Sequence, residues 1–172
     1  MQPRLVLALA APALAAVALG PPIRPAPPLL LNTSASEPVG LYLHQDQVPR
    51  VGRVIAFRPP PAAWPYVAAA MPARARGGIL KTIGAGEGDR VCTRGGRLAV
   101  NGRDVAPIAS RDSRGRSLPH WEGCRALGAG EYFVVSTRIP NSFDSRYYGP
   151  VRRQDVIGVY RALGAPRRPA AA

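Results

Sequence analysis

Gly77-Gly78-Ile79-Leu80-Lys81-Thr82-Ile83 opens a strand after two glycines, and Arg90-Val91-Cys92-Thr93-Arg94-Gly95-Gly96-Arg97-Leu98-Ala99-Val100-Asn101-Gly102 follows it with a hairpin and a second turn. Apolar and β-branched residues run from Ile79 to Ile83 between glycines, which is the punctuation of a short strand. Arg90 to Cys92 and Arg97 to Val100 read as the two arms of a hairpin around Arg94-Gly95-Gly96. Asn101-Gly102 is a two-residue turn signal of the type that demands positive φ.

The same text continues on both sides. Upstream, Gly40-Leu41-Tyr42-Leu43 is a strand candidate, and Val51 to Phe57 is another, stopped by Pro59-Pro60-Pro61. Ala62 to Met71 is alanine-rich and reads as a short helix or loop carrying Trp64 and Tyr66. Downstream, residues 107–130 form a long polar excursion containing Asp112-Ser113-Arg114-Gly115-Arg116. Glu131 to Thr137 and Val156 to Leu163 read as the last strands. The fold class predicted is mainly β: a compact antiparallel domain of short strands behind an N-terminal apolar membrane segment. The organisation predicted is a signal or anchor segment over 1–22, one β domain over 23–163, and a loose Pro/Ala/Arg tail over 164–172.

The apolar run Leu5 to Gly20 is 16 residues long, between a signal-peptide core and a full membrane span. Ala16-Val17-Ala18 fits the small-x-small pattern of a cleavage site, while Leu29-Leu30-Leu31 soon after favours a retained anchor lying against the bilayer surface. Pro21 and Pro22 end any helix there. Either way the remainder is delivered across a membrane. Cys92 and Cys124 suit that compartment as a disulfide, with two free buried thiols as the other reading. With only His44 and His120 besides, two distant cysteines do not make metal-ligand spacing, so no metal is implied.

The formal net charge is +13. It suits a solvated surface or anionic lipid headgroups better than nucleic acid, because the charges form no block and no aromatic-rich nucleic-acid motif accompanies them. The 23 basic residues include a single lysine, Lys81. Arginine stays charged at any working pH, whereas a lysine in an apolar site can lose its proton and act as a base. Lys81 sits in the middle of an apolar strand, where it is either desolvated or turned outward to solvent.

Two other segments carry chemistry. In Asn32-Thr33-Ser34-Ala35-Ser36-Glu37-Pro38-Val39-Gly40-Leu41-Tyr42, Pro38 forces the residue before it into an extended conformation and would hold Ser36 at a fixed angle. A serine hydroxyl becomes a nucleophile only when a base removes its proton. In Pro140-Asn141-Ser142-Phe143-Asp144-Ser145-Arg146-Tyr147-Tyr148-Gly149-Pro150-Val151, Asp144 and Arg146 are spaced to pair along one side of an extended segment.

The order of these segments resembles the serine–lysine signal peptidases: Ser-x-Pro-x-Gly-x-Tyr, then a strand lysine followed by Gly-x-Gly-Asp-x-Val, then Asn-Ser-x-Asp-Ser-Arg-Tyr-x-Gly. The Ser-Glu-Pro-Val-Gly-Leu-Tyr and Ser-Phe-Asp-Ser-Arg-Tyr-Tyr-Gly-Pro-Val forms are most similar to the conjugative-transfer signal peptidases of the TraF type, over roughly residues 30 to 162. The resemblance implies that Ser36 is the nucleophile and Lys81 the general base. Ser34 would supply a hydroxyl to the oxyanion, with the Ser36 N–H as the second donor. Ser142 would orient the lysine, and Asp144, paired with Arg146, would organise the site.

No cofactor is implied. The partners implied are a protein precursor, either a pilin or a leader peptide, and the membrane lipid surface. The location implied is a bacterial inner membrane with the catalytic domain in the periplasm. Three departures bear on the substrate: Gly52-Arg53 replaces the usual Gly-Asp, Ser136-Thr137-Arg138-Ile139-Pro140 replaces Gly-Asp-Asn-Arg, and Glu37 replaces the usual methionine after the nucleophile. The competing functions are a general type I leader peptidase and a non-catalytic exported basic β module that binds lipid or cell-wall polymer.

Overall fold

The computed structural model describes residues 25–164. The chain forms β1 (Leu29–Asn32), β2 (Gly40–Gln45) and β3 (Val54–Phe57). A helical turn and α1 (Trp64–Ala70) then lead to β4 (Ile79–Ala85). Next come β5 (Arg90–Arg94), β6 (Arg97–Val100), β7 (Arg103–Pro107) and β8 (Gly123–Ala126). Finally β9 (Glu131–Val134) precedes α2 (Ser145–Tyr148), β10 (Val151–Arg152) and β11 (Val156–Ala162). Two sheets result, one ordered β1-β2-β11-β3-β4-β9-β10 and one ordered β7-β6-β5-β8. The strand pairs in both are antiparallel.

The sheets meet through β4 and β9. Along β4 the side chains alternate, so Ile79, Lys81, Ile83 and Ala85 are the buried set. Ile79 and Ile83 join Ile55, Phe57 and Val134 in a core closed by Phe143, Tyr147 and Tyr148 from the α2 region. Ala85, with Phe133 and Val135, joins Val91, Leu98 and Ala106 in a second core under the smaller sheet. A register shift between Ile83 and Ala85 turns β4 from one core to the other. Gly84 fills the kink because a Cβ there would run into Val135 Cγ1.

The antiparallel, mainly β architecture agrees with the sequence reading. The β5–β6 hairpin turns on Gly95 and Gly96, and the β6–β7 turn uses Asn101 at φ 51° and Gly102 at φ 77°. Cys92 and Cys124 are directly opposed on β5 and β8 and joined in a disulfide. Several details differ from expectation. Residues 51–52 are a turn, so β3 is shorter than predicted. The polar excursion over 107–130 contains β8, which pairs with β5, and a bridge between Arg111 and Ser117. Asp144 caps α2 rather than lying in an extended segment, so its contact with Arg146 is made across a helix start. The segment 1–22 and the tail beyond 164 lie outside the described residues, among which no helix is long and apolar enough to cross a membrane.

Candidate active site

Lys81 is placed by β4. Its neighbours on the inward face are Ile79 and Ile83, and its register partner on β3 is Ile55. The side chain is therefore buried among apolar groups, at 5 % exposure. Burial pulls its pKa below the ordinary lysine value; the charges of Asp144 and Glu37 pull it back up, and Arg146 adds to the lowering.

Ser36 is placed by the loop between β1 and β2. Asn32, the last residue of β1, organises that loop. Its amide nitrogen donates to the carbonyls of Ser34, Glu37 and Pro38, at 2.9, 3.1 and 2.9 Å, and its side-chain oxygen accepts from the Ser34 N–H at 3.0 Å. This is the local side-chain-to-backbone turn chemistry at which asparagine excels. Tyr42, from β2, donates its hydroxyl to the Pro38 carbonyl at 2.8 Å. Ser36 is buried, and Lys81 Nζ hydrogen-bonds Ser36 Oγ across 45 residues of sequence. Ser34 Oγ lies 3.0 Å from Ser36 Oγ and accepts from the Ser36 N–H at 3.4 Å. Both serines and Lys81 line a groove of about 520 Å³ whose walls include Leu30, Met71 and Leu80.

Asp144 and Arg146 are fully buried and bidentate: Arg146 Nε donates to Asp144 Oδ1 and Nη2 to Oδ2, each at 2.8 Å. The remaining guanidinium donors reach the carbonyls of Pro107, Ser142 and Ser136. This satisfaction is what a buried charge pair requires. Ser142 is buried close by, and its hydroxyl has no hydrogen-bond partner among the described residues. The structure thus gathers Ser34, Ser36 and Lys81 at one groove, and joins Asp144 and Arg146 in the buried layer behind them.

Sequence reasoning missed four residues that hold this arrangement together: Asn32, Thr82, Ser136 and, in any positive role, Glu37. The Glu37 carboxylate accepts from the Thr82 N–H at 2.8 Å and from Thr82 Oγ1 at 3.0 Å. Burial pushes its pKa above the ordinary value, against Thr82 and the charges of Lys81 and Arg138. Ser136 donates its hydroxyl to the Ser36 carbonyl. Asn32, immediately before a serine-rich turn, left a readable signal, and Glu37 left one only as a departure from the usual residue.

The comparison with known proteins gives the class first: the family "Signal peptidase, peptidase S26" matches residues 5–163, and the chain belongs to it. Within that class the chain is a TraF-type, signal-peptidase-like protein. It is 31 % identical over 143 residues to "Plasmid transfer protein TraF" of Escherichia coli, covering 77 % of this chain and 81 % of that protein. It is 28 % identical over 145 residues to "Probable conjugal transfer protein TraF" of Sinorhizobium fredii, covering 75 % and 73 %. To "Signal peptidase I V" of Bacillus subtilis it is 30 % identical over 91 residues, covering 47 % and 54 %.

Proposed function

We propose that the protein is a membrane-associated serine endopeptidase that processes an exported precursor, a conjugative pilin, with Ser36 as nucleophile and Lys81 as general base. The observation that carries the reading is the hydrogen bond between Lys81 Nζ and Ser36 Oγ in a buried, apolar setting. Neutral Lys81 takes the Ser36 proton as the oxygen attacks the scissile carbonyl. The Ser36 N–H and Ser34 hydroxyl, now bonded to each other, turn to the developing oxyanion, each such donor contributing roughly 3–4 kcal/mol. Protonated Lys81 passes its proton to the leaving amine, and an ester to Ser36 remains. Water then hydrolyses the ester, or an amino terminus attacks it and closes a cyclic product.

The pilin is proposed because the two relatives named TraF are described as plasmid or conjugal transfer proteins. The precursor would be met at the exported face of a bacterial inner membrane. Support for the lipid surface comes from β1 and β2, where Leu29 opposes Leu43 and Leu31 opposes Leu41, and all four side chains are exposed.

The test is to co-express the chain with a candidate pilin precursor and follow the precursor's mass. Wild type shortens or cyclises it; Ser36→Ala and Lys81→Arg leave it intact. Arginine keeps the charge and cannot serve as the base. Processing by Lys81→Arg would end this reading.

A further inference from the structure

Glu37 and Ser136 are buried polar side chains with no role in the chemistry just described, and each touches the segment that carries Ser36. We propose that they are positioning residues: together they clamp residues 32–38 from two flanks and set the gap between Ser36 Oγ and Lys81 Nζ. The inference rests on the Ser36/Lys81 reading.

The first clamp joins neighbours of the two reacting residues. Glu37 follows Ser36 and Thr82 follows Lys81. The Glu37 carboxylate takes both the backbone N–H and the hydroxyl of Thr82. The Thr82 carbonyl accepts from the Val135 N–H at 3.1 Å, so the residue is fixed through both halves of its backbone. A carboxylate is expensive to bury, and an apolar side chain would fill the same space at less cost. What only the carboxylate provides is a rigid tie between the loop and β4 at the point where the base stands.

The second clamp works from the other side. Ser136 Oγ–H donates to the Ser36 carbonyl, across 100 residues of sequence. Ser136 is itself held by the buried ion pair: its N–H donates to Asp144 Oδ2 at 3.1 Å, and its carbonyl accepts from Arg146 Nη2 at 3.4 Å. Through Ser136, Asp144 reaches the nucleophile without touching Lys81. The clamp grips the Ser36 carbonyl and the Glu37 side chain. It leaves the Ser36 N–H and Oγ, the two atoms that the reaction needs, to meet Ser34 Oγ, and both serines line the groove.

Kinetics on a pilin precursor that the full-length wild-type chain processes tests the clamp. A displacement of about 1 Å between reacting groups costs on the order of a hundredfold, so Ser136→Ala and Glu37→Met each lower kcat by roughly ten- to a hundredfold and leave KM within about twofold. Glu37→Gln keeps an acceptor for the Thr82 N–H and recovers about tenfold in kcat over Glu37→Met. The variants are compared at matching far-ultraviolet circular dichroism and thermal midpoint, so a folding defect does not mimic the effect. Unchanged kcat in Ser136→Ala or Glu37→Met overturns the clamp, as does a loss confined to KM. Where those variants are unimpaired while Ser36→Ala and Lys81→Arg are inactive, the clamp alone is wrong. Turnover by Ser36→Ala or Lys81→Arg brings down the underlying reading and the clamp with it.

Discussion

Lys81 shows how much chemistry one side chain can take from its position. Ile55, Ile79 and Ile83 surround it on the inward face of β4, and three charged groups act on it: Asp144, Glu37 and Arg146. The base proposed here must be neutral to accept a proton, so on that reading kcat/KM rises as pH rises through the Lys81 pKa, and burial puts that midpoint below the ordinary lysine value. Glu37 favours the ammonium form, so Glu37→Gln moves the acidic limb to lower pH. A limb that moves to higher pH in a kcat/KM profile would contradict Lys81 as the base. Lys81 stood out in the sequence because it is the one lysine among many arginines. Thr82 and Ser136 did not, because each acts across 45 or 100 residues and carries an ordinary polar side chain. Glu37 was visible as a departure, and its partner was not.

At the scale of elements, what could be read was what is local. The β5–β6 hairpin and the β6–β7 turn announce themselves because their glycines and Asn101 occupy positive φ, a demand that few residues meet. β8 gave no such sign: Gly123–Ala126 is a strand only because β5 lies beside it, bonded through Cys92 and Cys124. Leu29-Leu30-Leu31 reads as lipid-facing apolar text, and it forms a strand with two of its three leucines exposed. These rows of leucine on β1 and β2 make a prediction at this scale. In a chain starting at residue 23, Leu31→Glu with Leu41→Glu lowers flotation with anionic vesicles about tenfold or more, since burying one leucine contributes roughly 1.5–3 kcal/mol. Both side chains are exposed, so the thermal midpoint stays within a few degrees, as is usual for about ±0.5 kcal/mol at surface sites. Equal flotation of wild type and variant would remove these strands from the membrane contact.

Over the whole molecule, the mainly β antiparallel class followed from turn density, but the split into two sheets did not. That division depends on β4 and β9 each feeding two cores, through a register shift that no local pattern encodes. The place of β11 was equally hidden. It pairs with β2 on one edge and β3 on the other, so the strands that carry the Ser36 loop join the rest of the larger sheet through it. Under the proposed function, removing β11 therefore abolishes precursor processing, although both Ser36 and Lys81 remain in the chain. A truncated chain that still processes would show that the two halves associate without it.

That placement also fixes a schedule. β11 is the last of the described strands in chain order, so the sheet closes only once synthesis has passed residue 162. Until then the hydroxyl of Ser36 and the amine of Lys81 stand on pieces that share no sheet. On the proposed Ser36/Lys81 reading, competence would arrive in one step, at the docking of a single late strand.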